Sequence, residues 1–151
     1  MSATGEMAIV QRLLVDTTVS TLVSTRIYPN VAPQKTAADA LDYIVYSVAS
    51  EDHEHHMKGA SGLVFTRVQL DIVAATYLRA KAIANAVRLT LDGYRGPITV
   101  GDDQVFVQHC FLILVVDNFD PPVDASQRGR HRVIQDYRVG YEEQIPAFAG
   151  V

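Results

Sequence analysis

"SGLVFTRVQLDIVA", residues 61–74, alternates apolar and polar side chains along most of its length. Successive side chains of a strand point to opposite faces of a sheet, so this stretch predicts a strand with one buried face and one solvated face. The buried face receives Val64, Thr66, Val68, Leu70 and Ile72, and the opposite face receives Arg67, Gln69 and Asp71. The preceding "LDYIVYSVAS", residues 41–50, is rich in β-branched and aromatic residues. Together the two stretches predict a β-hairpin.

Helical patterns flank this hairpin. An N-terminal helix is predicted over about residues 4–16 with Thr4 as its N-cap, and a short helical turn follows in "TTVSTLVST", residues 17–25. "RIYPNVAPQ", residues 26–34, has two prolines and predicts an extended strap. After the hairpin, apolar residues at helical spacing between Thr76 and Gly93 predict a helix with an N-cap and a C-cap residue.

The C-terminal half predicts further strands. "ITVGDDQVFVQHCFLILVVDNF", residues 98–119, indicates a short strand, a turn and a long strand, in which Cys110 is expected to be buried. Residues 120–130 are expected to form a loop, residues 131–141 a last strand, and residues 144–151 a loosely ordered tail. The predicted fold class is α+β, in one domain over residues 1–151. An antiparallel sheet of about four main strands has helices packed on one face and a long hairpin arm.

Composition restricts the classes of function. At 151 residues and 48% hydrophobic, the chain suits one domain with a real core. A formal net charge of −4 argues against a general binder of nucleic acid or anionic membranes. Its single cysteine cannot form an internal disulfide, and the N-terminus shows neither a signal-peptide pattern nor a membrane-spanning apolar run. We therefore expect a protein that is made and used without export and that has no membrane partner.

The hairpin connection, "SVASEDHEHHMKGASG", residues 47–62, is rich in histidine and acidic residues. Three interpretations are open: a metal site, a pH-sensitive contact, or a solvated hairpin arm. A structural zinc site needs ligands in a rigid tetrahedral frame, usually with a second cluster elsewhere in the sequence, and no second cluster is present. The pattern favours a solvated arm, and the sequence assigns no metal ligand. The arm's polar members are Asp52, His53, Glu54, His55, His56 and Lys58.

No catalytic pattern emerges. The sequence has no Gly-rich phosphate loop and no recognisable Ser, His and acid set, and the paired Asp102 and Asp103 are explained by a turn between strands. We therefore expect no enzymatic activity and no cofactor. The basic "QRGRHR", residues 127–132, can contact phosphates, an acidic protein surface or solvent; it places Arg128 and Arg130 in the loop and Arg132 in the last strand.

The face of the sheet opposite the helices carries charges of both signs: Arg67, Asp71, Arg132, Asp136 and Arg138. A plain solvated face accounts for this pattern. The alternative is a subunit interface in which complementary charges set register and specificity.

Four stretches in order resemble the tail-completion family of long-tailed phages and prophages, also called tail terminator or tail-to-head joining proteins. They are "RIYPNVAP", "YIVYSVAS", "SGLVFTRVQLDIVAATYLRAKAIANAVRLTLDGYRG" and "HRVIQDYRVGYEE". The resemblance runs from about residue 8 to about residue 143. It departs from the family pattern in having no tryptophan near Val73, and the acidic, histidine-rich tip at residues 51–58 is particular to this chain.

The resemblance implies a non-enzymatic structural role. Such proteins form a ring, typically a homohexamer, that caps the tail tube and docks on the head connector or stopper protein, with DNA passing through the lumen. The implied location is the head-proximal end of the tail in the virion, and the host cytoplasm during assembly. The expected contact surfaces are the hairpin arm, the 117–130 loop and the charged sheet face. The alternative function is a small non-enzymatic binding or regulatory module of the same fold.

Overall fold

The computed structural model describes residues 3–33, 42–122 and 129–148, which form three helices and six strands. The helices are α1 (Gly5–Val15), α2 (Thr17–Val23) and α3 (Tyr77–Leu91). The strands are β1 (Ile27–Pro29), β2 (Tyr43–His56), β3 (Gly59–Ala74), β4 (Gly96–Val100), β5 (Asp103–Asp120) and β6 (Arg130–Glu142). The α+β class is therefore confirmed.

The strands form one mixed sheet in the order β1-β2-β3-β6-β5-β4. The prediction of about four antiparallel strands is wrong in number and in type, because the sheet has six strands and β1 runs parallel to β2. The added parallel strand comes from the predicted strap, where only three residues pair, from Ile27 to Pro29. A proline lacks an N–H group, and an edge strand tolerates it because its outer side needs no partner.

The alternation in β3 produces the predicted two faces. Its predicted inward residues are buried, and they pack with Ile9 and Leu13 of α1 and with Ile83 and Val87 of α3. The one polar member of this set, Thr66, donates its hydroxyl hydrogen to the carbonyl oxygen of Ser50 at 3.2 Å. The helices therefore cover one face of the sheet, as predicted.

Polar contacts tie the helices to the sheet within the core. The side-chain amide of the buried Gln135 in β6 donates to the carbonyl oxygen of Ala84 in α3 at 3.1 Å. Its amide oxygen accepts from the hydroxyl of Tyr137 at 2.9 Å. Because buried polar groups destabilise unless they are satisfied, these bonds favour one position of α3 over the sheet.

The observed helix ends agree in part with the caps and bounds predicted from the sequence. Thr76 caps α3 as predicted, with its hydroxyl oxygen accepting from the Arg79 N–H, and Asp16 caps α2 by accepting from two N–H groups. Helix α1 lies within one residue of its predicted bounds. Thr4 occupies the N-cap position as predicted, but its side chain makes no capping hydrogen bond.

The predicted loop over residues 117–130 is shorter than expected. Strand β5 continues to Asp120, and β6 begins at Arg130. The pairing of Asp120 with Arg130 explains the extension, because it continues the β5–β6 ladder to the end of both strands. Arg128 lies outside the described residues, as do residues 149–151 of the predicted tail. Residues 144–148 are exposed and lie outside helices and strands.

Leu70 provides a test of the strand register. It is fully buried between the sheet and the helices, so Leu70→Ala should lower the free energy of unfolding by about 2–5 kcal/mol. Gln69→Ala, on the other face of the same strand, is the control and should cost much less. Denaturant unfolding of both variants measures the difference. A larger loss for Gln69→Ala than for Leu70→Ala would contradict the register.

Candidate protein-interaction surfaces

The helix-free face of the sheet holds its charges in ion pairs within the chain. A guanidinium nitrogen of Arg67 lies 2.5 Å from a carboxylate oxygen of Asp136. Arg132 bridges two carboxylates, at 2.9 Å to Asp71 and 2.7 Å to Asp120. The predicted charged face thus exists on β3 and β6. Four of its five residues form ion pairs with one another, and the fifth, Arg138, lies directly opposite Arg67.

Burial makes the Arg67–Asp136 pair different from a surface ion pair. The Asp136 side chain is only 7% exposed, whereas that of Arg67 is 44% exposed. One oxygen of Asp136, Oδ1, is buried without a hydrogen-bond partner, so Arg67 is the cation that compensates this carboxylate. A buried carboxylate that loses its cation destabilises the fold, so Arg67 has a structural role in the isolated subunit.

Arg138 is placed differently. Its guanidinium lies 4.8 Å from the ring centre of Phe65, and no carboxylate among the described residues forms an ion pair with it. The Phe65 ring stacks on His109 at 5.5 Å, and His109 stacks on Phe111 at 5.2 Å. Burial, and then the Arg138 charge, lower the pKa of His109. This aromatic row was not found from the sequence, because it depends on the cross-strand register of β3, β6 and β5.

The hairpin arm is present where the sequence predicted it. Strands β2 and β3 extend past the core, and residues 51–59 are all exposed, with Met57 and Lys58 in the turn at the tip. Asp52, Glu54, His55 and His56 lie along the arm, and the Nδ1 atom of His56 accepts a hydrogen bond from the Lys58 N–H. The described residues contain no group of three or more His, Cys, Asp or Glu side chains arranged to hold a metal ion.

His53 links the arm to the C-terminal segment. Its Nδ1 atom lies 2.7 Å from Glu143 Oε1, and its Nε2 atom lies 3.4 Å from Glu51 Oε2. The hydrogen bond to Glu143, with the charges of both carboxylates, raises the pKa of His53. Of the three interpretations of this stretch, the contact is consistent with a pH-sensitive one on a solvated arm.

The basic stretch is divided between two settings. Arg132 is held by the two carboxylates described above, and the guanidinium of Arg130 lies 5.5 Å from the ring centre of Tyr43 in β2. Arg132 therefore contacts β3 and β5, the two neighbours of β6, whereas Arg130 reaches past β3 to β2. Of the contacts considered for this basic stretch, the structure thus shows contacts with protein side chains for Arg130 and Arg132.

The distal half of β5 is an apolar surface for which the sequence predicted a strand but no exposure. Six of its large apolar side chains are 42–51% exposed: Phe111, Ile113, Leu114, Val115, Val116 and Phe119. Cys110 just before them is fully buried as predicted, and burial raises its thiol pKa to about 12. A thiol that stays protonated is a poor nucleophile. Within this apolar run, the predicted burial thus holds for Cys110, and the large apolar side chains after it are exposed.

No helix among the described residues combines the length and the apolar character needed to cross a membrane.

Comparisons with known proteins bear on the family and the fold of the chain. The profile of the family described as "Tail completion protein gp17" matches residues 7–142. Among solved structures, the chain is similar to a protein chain of the "Virion of native gene transfer agent (GTA) particle", with a TM-score of 0.62 and 21% sequence identity. That match covers 91% of this chain and 94% of the other, and at this identity it concerns the fold. A comparison with curated proteins gives no match.

The two arginines of the helix-free face should differ in their effect on the isolated subunit. Arg67→Glu places a second carboxylate beside the buried Asp136 and should lower the free energy of unfolding by about 1–3 kcal/mol. Arg138→Glu, the matched control on the same face, should change it by about 0.5 kcal/mol or less. Thermal and denaturant unfolding measure both. Equal losses would contradict a structural role specific to Arg67.

Glu143→Gln should lower the pKa of His53, because it removes the hydrogen-bonded carboxylate that favours the protonated ring. Since this pKa is raised in the folded chain, the contact stabilises the fold at a pH below the unfolded value. The stabilisation is lost as pH rises through the folded pKa. Titration of the histidine ring signals by NMR measures the change. An unchanged His53 pKa in Glu143→Gln would show that the contact does not form in solution.

Proposed function

The chain belongs to the tail completion protein family, and we propose that it is a structural virion protein that caps the end of a phage tail tube as a ring and joins it to the head connector. The match over residues 7–142 is the observation that carries this proposal, because it spans almost all of the chain that the structure describes. The fold shared with a chain of a virion particle supports it.

The surfaces of the subunit support an assembled state. In a soluble monomer, a long apolar strand with both faces exposed promotes aggregation unless something covers it. The distal half of β5 is such a strand. The alternative, a small binding or regulatory module that acts as a monomer, leaves this surface without a role, so the observation favours assembly.

The described residues fit a non-enzymatic role. The thiol of Cys110 is buried, His53 is bound to carboxylates on an exposed arm, and His109 stacks between aromatic rings. Each of these groups is engaged in a contact that stabilises the fold or one of its surfaces. We therefore infer that the protein acts by binding other proteins.

The proposed partners are further copies of the chain in a homohexameric ring, the tail tube protein, and the head connector or stopper protein. DNA passes through the lumen without sequence-specific contacts, as the net charge of −4 suits passage better than retention of a polyanion. The proposed location is the head-proximal end of the tail, reached after assembly in the host cytoplasm. The arm, the ends of β5 and β6, and the helix-free face are the proposed contact surfaces.

Deletion of the gene should leave particles in which heads and tails do not join, or tails of uncontrolled length, because the tube end then lacks its cap. Electron microscopy of the lysate measures both outcomes, and supply of the intact gene in trans is the control. Normal, fully joined virions from the deletion would refute the proposed function.

A further inference from the structure

We propose that copies of this chain join edge to edge through their sheets. The outer edge of β5 over residues 113–120 in one copy pairs with the outer edge of β2 over residues 47–56 in the next copy. One continuous sheet then runs around the ring. This inference rests on the proposed ring and adds which strands build it and in which order.

The first open edge belongs to β5. Strand β4 pairs with β5 only between Asp103 and Val107. Past that point, two contacts from the turn after α3 reach the edge: the Gly93 N–H donates to the carbonyl oxygen of Cys110, and the Leu112 N–H donates to a carboxylate oxygen of Asp92. From residue 113 to residue 120, no strand among the described residues lies along this edge.

The side chains of this open segment indicate what covers it. Leu114 and Val116 lie on the helix-free face beside Asp136 and Ile134, while Val115 lies on the helix-covered face opposite Gln135. A strand that is apolar on both faces is typical of the interior of a sheet. The six exposed side chains leave on the order of 500 Å² of apolar surface, a large share of the roughly 800 Å² that each partner contributes to a standard interface.

The second open edge belongs to β2. The short β1 pairs with β2 only from Ile44 to Tyr46, so residues 47–56 have β3 on one side and no described strand on the other. The two open edges lie on opposite sides of one sheet. A contact between two different surfaces of identical subunits is heterologous, and it generates rings when the rotation closes.

Strand directions agree with this pairing. From β2 through β3 and β6 to β5, every neighbouring pair is antiparallel. These are four strands, so β5 runs opposite to β2. The β2 strand of a second copy, placed beside β5 in the same orientation, therefore continues the antiparallel alternation without a break.

The two edges are also offset in a way that suits a closed sheet. Val116, in the middle of the open β5 segment, is level with Asp71 of β3 across the sheet. Asp52, in the middle of the open β2 segment, is level with Phe65 of β3. Phe65 and Asp71 are six residues apart along β3, so the two open segments are offset by six residues. Six residues span about 20 Å along a strand, and four strands span about 19 Å across a sheet. Strands displaced by these amounts tilt by about 45° from the ring axis, close to the roughly 35–45° of closed barrels.

Charge favours pairing between unlike edges. The open β2 edge carries the carboxylates Glu51, Asp52 and Glu54, and two such edges would repel each other. The open β5 segment carries Asp117 and Asp120, each of which forms an ion pair within the chain, with Lys81 at 2.5 Å and with Arg132 at 2.7 Å. The acidic edge of one copy therefore meets an edge that is mainly apolar and whose carboxylates are compensated by cations.

Cysteine cross-linking between two differently labelled copies tests the pairing. One preparation carries Val116→Cys and the other Asp52→Cys, both on the helix-free face, and they are oxidised alone and as a mixture on tail tubes isolated from the deletion lysate. Neighbouring residues of an antiparallel pair lie within disulfide distance. Ser50→Cys replaces Asp52→Cys in a second mixture to allow for a shift of two residues. The native Cys110 is buried and serves as the unreactive control.

We expect cross-linked dimers in a mixture and none in either preparation alone. Cross-linking of Val116→Cys to itself would show two-fold pairing, and cross-linking to the tube protein would show a different occupant; either result overturns the proposal. If the wild type forms rings on the tubes and no mixture cross-links, the strand pairing is wrong and the proposed function stands. If the wild type neither forms rings nor binds tubes, both fail.

A charge on the open edge gives an independent test. Val116→Lys should reduce the ring-bound fraction about ten-fold or more, because a lysine on an edge strand opposes pairing. Leu89→Lys, on the exposed side of α3 where the leucine is 69% exposed, is the matched control and should assemble normally. Circular dichroism confirms that both variants fold. Normal assembly of Val116→Lys would overturn the proposal.

Discussion

The pairing of β3 with β6 is the constraint on which the rest of the structure depends. It joins the two strands in unbroken antiparallel register from Leu63–Glu142 to Ala74–His131, at the centre of the sheet. A slip by one residue would turn every side chain of a strand to the opposite face. Specific contacts oppose such a slip on both faces: Gln135 binds Ala84 under α3, and Arg67 binds Asp136 on the helix-free side.

This central pair leaves a sheet that is complete in the middle and incomplete at its two edges. Strand β1 covers only the start of β2, and β4 covers only the start of β5. A short edge strand normally protects a sheet from association with other chains. Here the protection is partial, and the uncovered parts differ in chemistry, since the β2 edge is acidic and the β5 edge is apolar. Such a subunit is suited to directional association with its own kind.

The helix-free face shows how ion pairs can serve fold and assembly separately. Asp136 is buried and depends on Arg67, so this pair holds two central strands together. Arg138, two residues away on the same strand, lies over the Phe65 ring. It forms no ion pair among the described residues, so its charge is available for contacts with another chain. Loss of the charge should therefore destabilise the fold at Arg67 and have little effect on the fold at Arg138. The arm follows the same division, because His53 is bound to Glu143 at its base while the tip residues are exposed.

The sequence by itself determined the α+β class, the hairpin and its arm, the cap of α3, and the inward set of β3. These features follow from local rules, since alternation and capping act between residues that are close in the chain. It also gave the family resemblance, which the profile match over residues 7–142 confirms. For the charged face, it identified the residues but not their partners.

Only the tertiary structure decided which strands are neighbours. The parallel pairing of β1, the row of Phe65, His109 and Phe111, and the Arg67–Asp136 pair all depend on contacts between distant parts of the chain. The apolar run of β5 shows the limit of the sequence most clearly. Hydrophobicity predicts that a segment avoids water, but it does not say whether its own chain or a neighbouring copy covers it. In this protein, burial by its own chain ends near Cys110, because no described strand continues along the β5 edge beyond β4.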